Sequence, residues 1–151
     1  MAKFYFEDFP AGESVEYGRV DVTAEAIVDF ARQFDPQTFH LDEEAGREVA
    51  GGLIGSGWQT TAFLLGMNCE AFLARAAAIG DCGVEEIAWL LPVRPGDRLR
   101  VRRHTRSARL LGNEDAGELE FLFEVLNGRD EVVMTQRSLL KLERRPERHA
   151  G

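Results

Sequence analysis

Residues 53–80, LIGSGWQTTAFLLGMNCEAFLARAAAIG, form the most apolar stretch of this 151-residue chain, and they decide its fold. From Trp58 to Ala78 there is no proline, and Gly66 is a weak helix breaker. Alanine, leucine and methionine dominate this stretch, and these residues favour helices. The stretch therefore predicts one long helix, about 30 Å in length, which is enough to span a small domain.

The apolar residues of this helix nearly surround its axis, which predicts burial on most sides. A sheet on one side cannot cover such a helix, and a second copy of the protein is the simplest further cover. We therefore expect a homodimer, and a higher oligomer is compatible with the same pattern.

The segment before the long helix predicts one strand and one shorter helix. Residues 14–23, SVEYGRVDVT, alternate apolar and polar side chains as a strand does. Thr23 is suited to cap a helix that ends near Phe34, because Pro36 disfavours helical backbone at the residue before it. The apolar face of this helix is expected at Ile27, Phe30, Ala31 and Phe34.

The second half of the chain predicts antiparallel strands. VEEIAWLL (84–91) ends at the turn PVRPGD, and RLRVRRHTRSAR (98–109) follows as a strand. ELEFLFEVL (118–126) and EVVMTQRSLLKLE (131–143) are joined through Asn-Gly, a strong hairpin signal. The order of elements predicts a single α+β domain over residues 1–151, in which one sheet wraps the hydrophobic helix.

Composition and charge exclude several classes of function. The chain is 44% hydrophobic, which is typical of a globular protein, and its formal net charge is −8. That charge argues against nucleic-acid partners and anionic membranes, which require a basic surface. No signal peptide or membrane-spanning run is visible, so we expect a cytoplasmic protein. Cys69 and Cys82 lack metal-ligand spacing and are interpreted as free buried thiols, although the sequence leaves a disulfide open.

Residues 33–44, QFDPQTFHLDEE, place Asp35 and His40 five positions apart. On a continuous helix such residues point about 140° from each other, but Pro36 opposes a continuous helix. If the chain reverses after Asp35, the two side chains meet, and a carboxylate beside an imidazole can activate water near neutral pH. The competing interpretation is an ordinary turn, because Asp-Pro is a common turn start.

Residues 51–59, GGLIGSGWQ, form a glycine-dense loop that leads into the long helix. Helix N-termini carry unpaired N–H groups and the positive end of the helix dipole. Gly57 allows a carbonyl oxygen to approach its N–H closely, which an oxyanion site for a thioester requires. A turn that uses glycine for its conformation alone has equal weight on sequence grounds.

Taken together, these motifs resemble the MaoC-like dehydratase family, which includes the (R)-specific enoyl-CoA hydratases. The family signature is Asp, a variable residue, Asn-Pro, an aliphatic residue and His, and DPQTFH matches it at Asp35 and His40, with Phe39 at the apolar position. Gly57 matches the glycine that opens the central helix, and VEEIAWLLPVRPGDRLRV resembles the family's strand–turn–strand. The resemblance covers roughly residues 5–143. It implies a hot-dog fold, in which an antiparallel sheet wraps a long central helix, usually as a dimer.

The resemblance also implies a hydratase or dehydratase that acts on an enoyl or 3-hydroxyacyl thioester of CoA or a carrier protein. Asp35 and His40 are then the catalytic pair, and the Gly57 N–H binds the thioester carbonyl as negative charge develops. No metal and no cofactor is implied. Four departures from the family pattern bear on the substrate more than on the reaction: Gln37 and Thr38 in place of Asn-Pro, Ser56 in place of a histidine, and Leu65 in place of a serine.

Two alternative functions stay open at this point. A hot-dog thioesterase usually activates water with a carboxylate on or near the central helix, where this chain has only Glu70, well along its length. A non-catalytic acyl-thioester-binding subunit is disfavoured by the intact Asp35 and His40, while the departure at Gln37 and Thr38 keeps it open.

Several further side chains have an ordinary interpretation. Trp58 and Trp89 are interpreted first as core residues. The strand at 98–109 carries six arginines, for which a solvated face is the default and a patch for the CoA phosphates the alternative. The candidates for the acyl pocket are Leu64, Leu65, Phe72 and Trp89.

Overall fold

The computed structural model describes residues 3–80, 83–112 and 115–147. The helices are α1 (Ala24–Phe34), α2 (Thr38–Leu41), α3 (Glu43–Ala50) and α4 (Gly57–Ala71), with single 3-10 turns at Phe6–Asp8 and Leu73–Arg75. The strands are β1 (Ser14–Asp21), β2 (Gly83–Trp89), β3 (Arg98–Leu110), β4 (Ala116–Leu126) and β5 (Val132–Glu143). None of the helices in these ranges is long and apolar enough to cross a membrane.

The five strands form one antiparallel sheet in the order β1-β3-β4-β5-β2. The predicted hairpin is confirmed: Leu126 pairs with Val132, and the Asn127 N–H donates to the Glu131 carbonyl at 3.0 Å. The core lies between this sheet and α4, from which Leu64 and Met67 are buried. The structure therefore confirms the expected α+β hot-dog architecture.

A bulge in β1 allows α4 to approach the sheet closely. The register of β1 against β3 shifts between Tyr17 and Val20, and Gly18 lies there with a φ of 85°. A Cβ at Gly18 would lie 2.7 Å from the sulfur of Met67, so this contact requires glycine on both steric and conformational grounds.

The prediction for α1 is correct in its bounds and partly wrong in its buried face. The Thr23 hydroxyl caps the helix by accepting the Ala26 N–H at 3.1 Å, and the helix ends at Phe34. Ile27 and Ala31 are buried, but Phe34 is 70% exposed. Phe34 stands in the last turn and packs on Phe30, with ring centroids 5.1 Å apart, and not on the core.

The predicted long helix ends earlier than expected, at Ala71 instead of Ala78. Phe72 leaves the helix with a φ of −155° and buries its ring against Phe9 and Phe121. The alanine-rich continuation then pairs as extended backbone: the Ala77 N–H donates to the Phe4 carbonyl, and the Glu143 N–H donates to the Ala77 carbonyl. These pairings with the sheet edge and the N-terminal segment override the helix propensity of alanine.

Three arginines of β3 that are two positions apart are ion-paired. Arg98, Arg100 and Arg102 contact the carboxylates of Asp21, Glu16, Asp130 and Glu124. This supports the default interpretation of a solvated polar face, because these guanidinium groups already have anionic partners. Arg103 points inward, is 5% exposed, and pairs with Glu13 at 3.1 Å.

Candidate active site

Asp35 and His40 are brought together by the turn between α1 and α3. After Asp35 the chain passes through Pro36 and forms α2, a single helical turn that carries His40. His40 Nε2 lies 3.3 Å from Asp35 Oδ2. The His40 ring is almost fully buried, and the Asp35 side chain is 16% exposed. The sequence predicted the proximity of Asp35 and His40. It did not predict α2, because four residues are too few to give a periodic pattern.

A backbone carbonyl fixes the orientation of the His40 ring. His40 Nδ1 lies 2.7 Å from the carbonyl oxygen of Ile54, in the glycine-dense loop. Because a carbonyl oxygen only accepts hydrogen bonds, Nδ1 must carry a proton and donate. Nε2 is therefore the nitrogen that faces Asp35.

Asp35 is held by two further side chains. The Ser56 hydroxyl donates to Oδ2 at 2.7 Å, and the Gln37 amide donates to Oδ1 at 2.7 Å. These hydrogen bonds, first from Ser56 and then from Gln37, together with the neighbouring His40, outweigh the effect of burial and lower the pKa of Asp35. The carboxylate therefore stays ionised near neutral pH. Two of the departures from the family pattern, Gln37 and Ser56, are thus partners of Asp35.

Gly57 is the first residue of α4, and Trp89 covers it. Within the described ranges no acceptor lies in hydrogen-bond reach of the Gly57 N–H, as expected for the first turn of a helix. A Cβ at Gly57 would lie 2.6 Å from the Trp89 ring, so the close contact with the indole requires glycine here. The role of this N–H toward a carbonyl remains a prediction.

The two tryptophans are not core residues, contrary to the first interpretation. Trp58 is 57% exposed and Trp89 is 44% exposed, and their rings meet edge to face with centroids 4.9 Å apart. Trp89 Nε1 also donates to the Thr61 hydroxyl at 3.3 Å. The pair instead lies on the surface beside the candidate site, where the last residue of β2 meets the start of α4.

Two cavities flank this tryptophan pair. One of about 310 Å³ is lined by His40, Gly57, Thr60 and Trp89, and therefore lies at the candidate site. A larger one of about 650 Å³ extends along α4 from Trp58 and past the end of the helix to Leu73. Of the four residues that the sequence suggested for an acyl pocket, Leu65 and Phe72 line the larger cavity and Trp89 the smaller, whereas Leu64 is buried in the core.

Cys69 does not line either cavity. Cys69 is a free thiol, half-buried on α4 rather than fully buried as expected, and Cys82 lies outside the described residues.

The chain matches the family model for the MaoC-like domain over residues 8–120. It belongs to this family, as the resemblance implied. A MaoC-like dehydratase from Rhodospirillum rubrum is 37% identical and superposes with a TM-score of 0.87, over 95% of this chain and 99% of that chain.

Two other solved structures are similar over nearly the whole chain. A monoamine oxidase regulatory protein from Archaeoglobus fulgidus is 26% identical, with a TM-score of 0.83 over 95% of this chain and 97% of that one. The (R)-hydratase PhaJ1 from Pseudomonas aeruginosa is 16% identical, with a TM-score of 0.70 over 99% of this chain and 95% of that one. At that identity the last comparison supports the fold alone.

Proposed function

We propose that this protein hydrates an enoyl thioester, or dehydrates the corresponding 3-hydroxyacyl thioester, and that Asp35 and His40 carry the reaction. The observation that carries the proposal is the approach of His40 Nε2 to Asp35 Oδ2 at 3.3 Å, next to the N-terminus of α4. A thioester of CoA or of a carrier protein is the substrate class, and the (R)-specific enoyl-CoA hydratases are the model for it.

In the direction of hydration, water is held between His40 Nε2 and the Asp35 carboxylate. His40 Nε2 takes one proton from the water as the oxygen adds to the β-carbon, and the same proton is then delivered to the α-carbon. Asp35 stays ionised, orients the water and stabilises the transient imidazolium. The net result is addition of hydroxyl and hydrogen across the double bond, and dehydration reverses these steps.

The Gly57 N–H binds the thioester carbonyl oxygen in this proposal. Negative charge builds on that oxygen as the enolate forms, and an N–H at the positive end of the α4 dipole stabilises it more than it stabilises the neutral carbonyl. The N–H has no acceptor within the described part of the chain, which supports this role. Trp89, which packs on Gly57, forms part of the wall of the cavity there.

A thioesterase has less support. The Glu70 side chain is exposed, and it follows Gly57 by thirteen residues, which is roughly 20 Å along a helix. It therefore lies far from a carbonyl bound at the N-terminus of α4.

We also propose that the working unit is a homodimer. One face of α4 exposes apolar side chains, with Leu65 at 56% and Trp58 at 57% exposure, and β2 is an edge strand of the sheet. A second copy that packs over this face buries the apolar surface and protects the edge.

The test is the loss of enoyl absorbance with trans-2-enoyl-CoAs of increasing chain length. We expect turnover by the wild type and a decrease of roughly 10²–10⁴-fold in Asp35→Asn and His40→Gln. Asp29→Asn is the matched control, because it makes the same change at an exposed position of α1. Full activity of the folded Asp35→Asn protein, or an inert wild type with every enoyl and 3-hydroxyacyl thioester, contradicts the proposal.

A further inference from the structure

The larger cavity begins beside the candidate site and follows one face of α4. Thr61, Leu65 and Asn68 of α4 are three or four positions apart and line it, as does Phe72 just beyond the end of the helix. Residues at this spacing share one side of a helix, and Gly57 precedes them on the same side. An acyl chain whose thioester carbonyl lies at Gly57 reaches this cavity by running along α4 past the Trp58–Trp89 pair, which stands between the two cavities.

Asn68 places an unpaired donor in this cavity. The residue is 5% exposed, and its Oδ1 accepts the Tyr17 hydroxyl at 2.6 Å. No acceptor for Nδ2 lies within hydrogen-bond reach in the described ranges. Asn68 Nδ2 is not among the fully buried atoms that lack a partner, so it keeps access from the cavity that Asn68 lines. A mainly apolar cavity orients its ligand through a few polar groups, so this N–H points to a ligand atom that accepts a hydrogen bond.

Tyr17 fixes which end of the Asn68 amide faces the cavity. Burial raises the pKa of Tyr17 far above its usual range, so the phenol stays protonated and remains a donor. Its proton occupies Asn68 Oδ1, which leaves Nδ2 as the group that is offered to a ligand.

The lining of the cavity is mainly apolar, and its polar members are uncharged. No charged side chain lines it among the described residues, and its polar members besides Asn68 include Gln136 and Ser138, which bond to each other at 2.9 Å. Arg103 is separated from it by two aromatic rings, since its guanidinium lies 5.2 Å from the Phe72 centroid and 5.3 Å from the Phe121 centroid. An anionic ligand group has no counter-charge here, so the expected acceptor is a neutral oxygen.

We infer that the cavity along α4 binds an acyl chain that carries a neutral oxygen, as a hydroxyl, ketone or ether, which accepts a hydrogen bond from Asn68 Nδ2. This rests on the proposed function for the thioester end of the ligand. Asn68 follows Gly57 by eleven residues, which corresponds to roughly 16 Å along the helix. The oxygen therefore lies near the far end of a medium-length acyl chain.

The experiment measures binding, without turnover, of saturated acyl-CoAs that cannot be hydrated. Decanoyl-, dodecanoyl- and tetradecanoyl-CoA are each compared with the ω-hydroxy form of the same length by titration calorimetry and tryptophan fluorescence. For the wild type we expect the best ω-hydroxy ligand to bind about fivefold more tightly than its unsubstituted partner, as one hydrogen bond provides. In Asn68→Leu this preference is lost or reversed.

Two further variants separate recognition from altered folding. Tyr17→Phe removes the hydroxyl that orients Asn68 but keeps the ring, and we expect it to weaken the preference. Glu70→Gln lies on the exposed side of α4 and is expected to keep the wild-type preference.

Equal binding of both members of every pair by the wild type overturns the inference, as does a preference that survives in Asn68→Leu. Saturated ligands do not react. The binding result can therefore be interpreted even if the protein does not hydrate enoyl-CoAs.

Discussion

The Ser56 hydroxyl donates to Asp35 Oδ2 at 2.7 Å and accepts the Trp58 N–H at 3.3 Å, so a single side chain connects the candidate carboxylate to the start of α4. The hydroxyl is fully buried, and its two hydrogen bonds run in opposite directions through one oxygen. Any change at Ser56 therefore alters the pKa of Asp35 and the capping of α4 together.

Removal of either donor to Asp35 is expected to move the acidic limb of the pH–rate profile. Ser56 and Gln37 lower the pKa of Asp35, so Ser56→Ala and Gln37→Ala allow its carboxylate to bind a proton at higher pH. Since the proposed reaction needs Asp35 ionised, we expect the loss of kcat/KM on acidification to begin at higher pH in both variants. The measurement is the pH dependence of kcat/KM with the best enoyl thioester.

The two variants are expected to differ in stability, which separates the electrostatic effect of each hydrogen bond from the capping effect of Ser56. Ser56→Ala also removes the cap of α4 and is expected to cost about 1 kcal/mol of unfolding free energy. Gln37 is exposed and caps no helix with its side chain, so Gln37→Ala is expected to leave the melting temperature nearly unchanged. If the limb moves in Ser56→Ala alone, the Gln37 amide has no part in holding the carboxylate.

Alanine at two glycines of α4 is expected to have opposite effects. At Gly66 a Cβ meets open space, so Gly66→Ala is expected to stabilise the protein by roughly 0.5–1 kcal/mol through helix propensity. At Gly57 the Cβ meets the Trp89 ring at 2.6 Å, so Gly57→Ala must displace the indole. We expect Gly57→Ala to lower stability and activity and to shift the tryptophan emission. Equal stabilisation by both substitutions in thermal melts contradicts the packing of Trp89 on Gly57.

The sequence predicted the elements whose patterns are local. The cap at Thr23, the helix end before Pro36 and the Asn-Gly hairpin each depend on neighbouring residues, and each is found where expected. The proximity of Asp35 and His40 also followed from a local rule, because the proline excludes a continuous helix between them.

What the sequence did not predict depends on distant contacts. Residues 72–78 have the composition of a helix, but they pair with Phe4 and with the end of β5, which no local pattern contains. Gln37 and Ser56 stood out only as departures from a family pattern, and their shared partner became visible when the loop closed on Asp35. Asn68 gave no sequence signal, because one polar residue in an apolar helix does not indicate which side it faces.

Glu124, on the outer face of the sheet, is expected to make stability depend on pH. It accepts hydrogen bonds from Arg102 at 3.0 Å and from His104, and these two residues, Arg102 first, lower its pKa despite partial burial. A carboxylate with a lowered folded-state pKa adds stability above its unfolded pKa of about 4.3 and loses it as the pH falls through the folded value.

The measurement is chemical denaturation of wild type and Glu124→Gln at several pH values. We expect the variant to be less stable at neutral pH, and the difference to shrink once the pH falls below about 4. Glu48→Gln changes an exposed glutamate of α3 and is the control, for which a small difference at every pH is expected. A Glu124→Gln deficit that is constant from neutral to acid pH contradicts the ion-pair origin.

The exposed face of α4 predicts self-association that one charge can prevent. Ala62 lies on this face between Trp58 and Leu65, and all three border the larger cavity. The wild type is expected to have about twice the chain mass of 16.9 kDa in light scattering. Ala62→Arg places an unpaired cation in the dimer contact and is expected to yield the monomer. Burial of that charge would destabilise the dimer by more free energy than the apolar contact contributes. Glu70→Arg introduces the same side chain further along α4 at an exposed polar position, and it should stay dimeric. A monomeric wild type, or an Ala62→Arg protein with unchanged mass, would place the partner of α4 elsewhere.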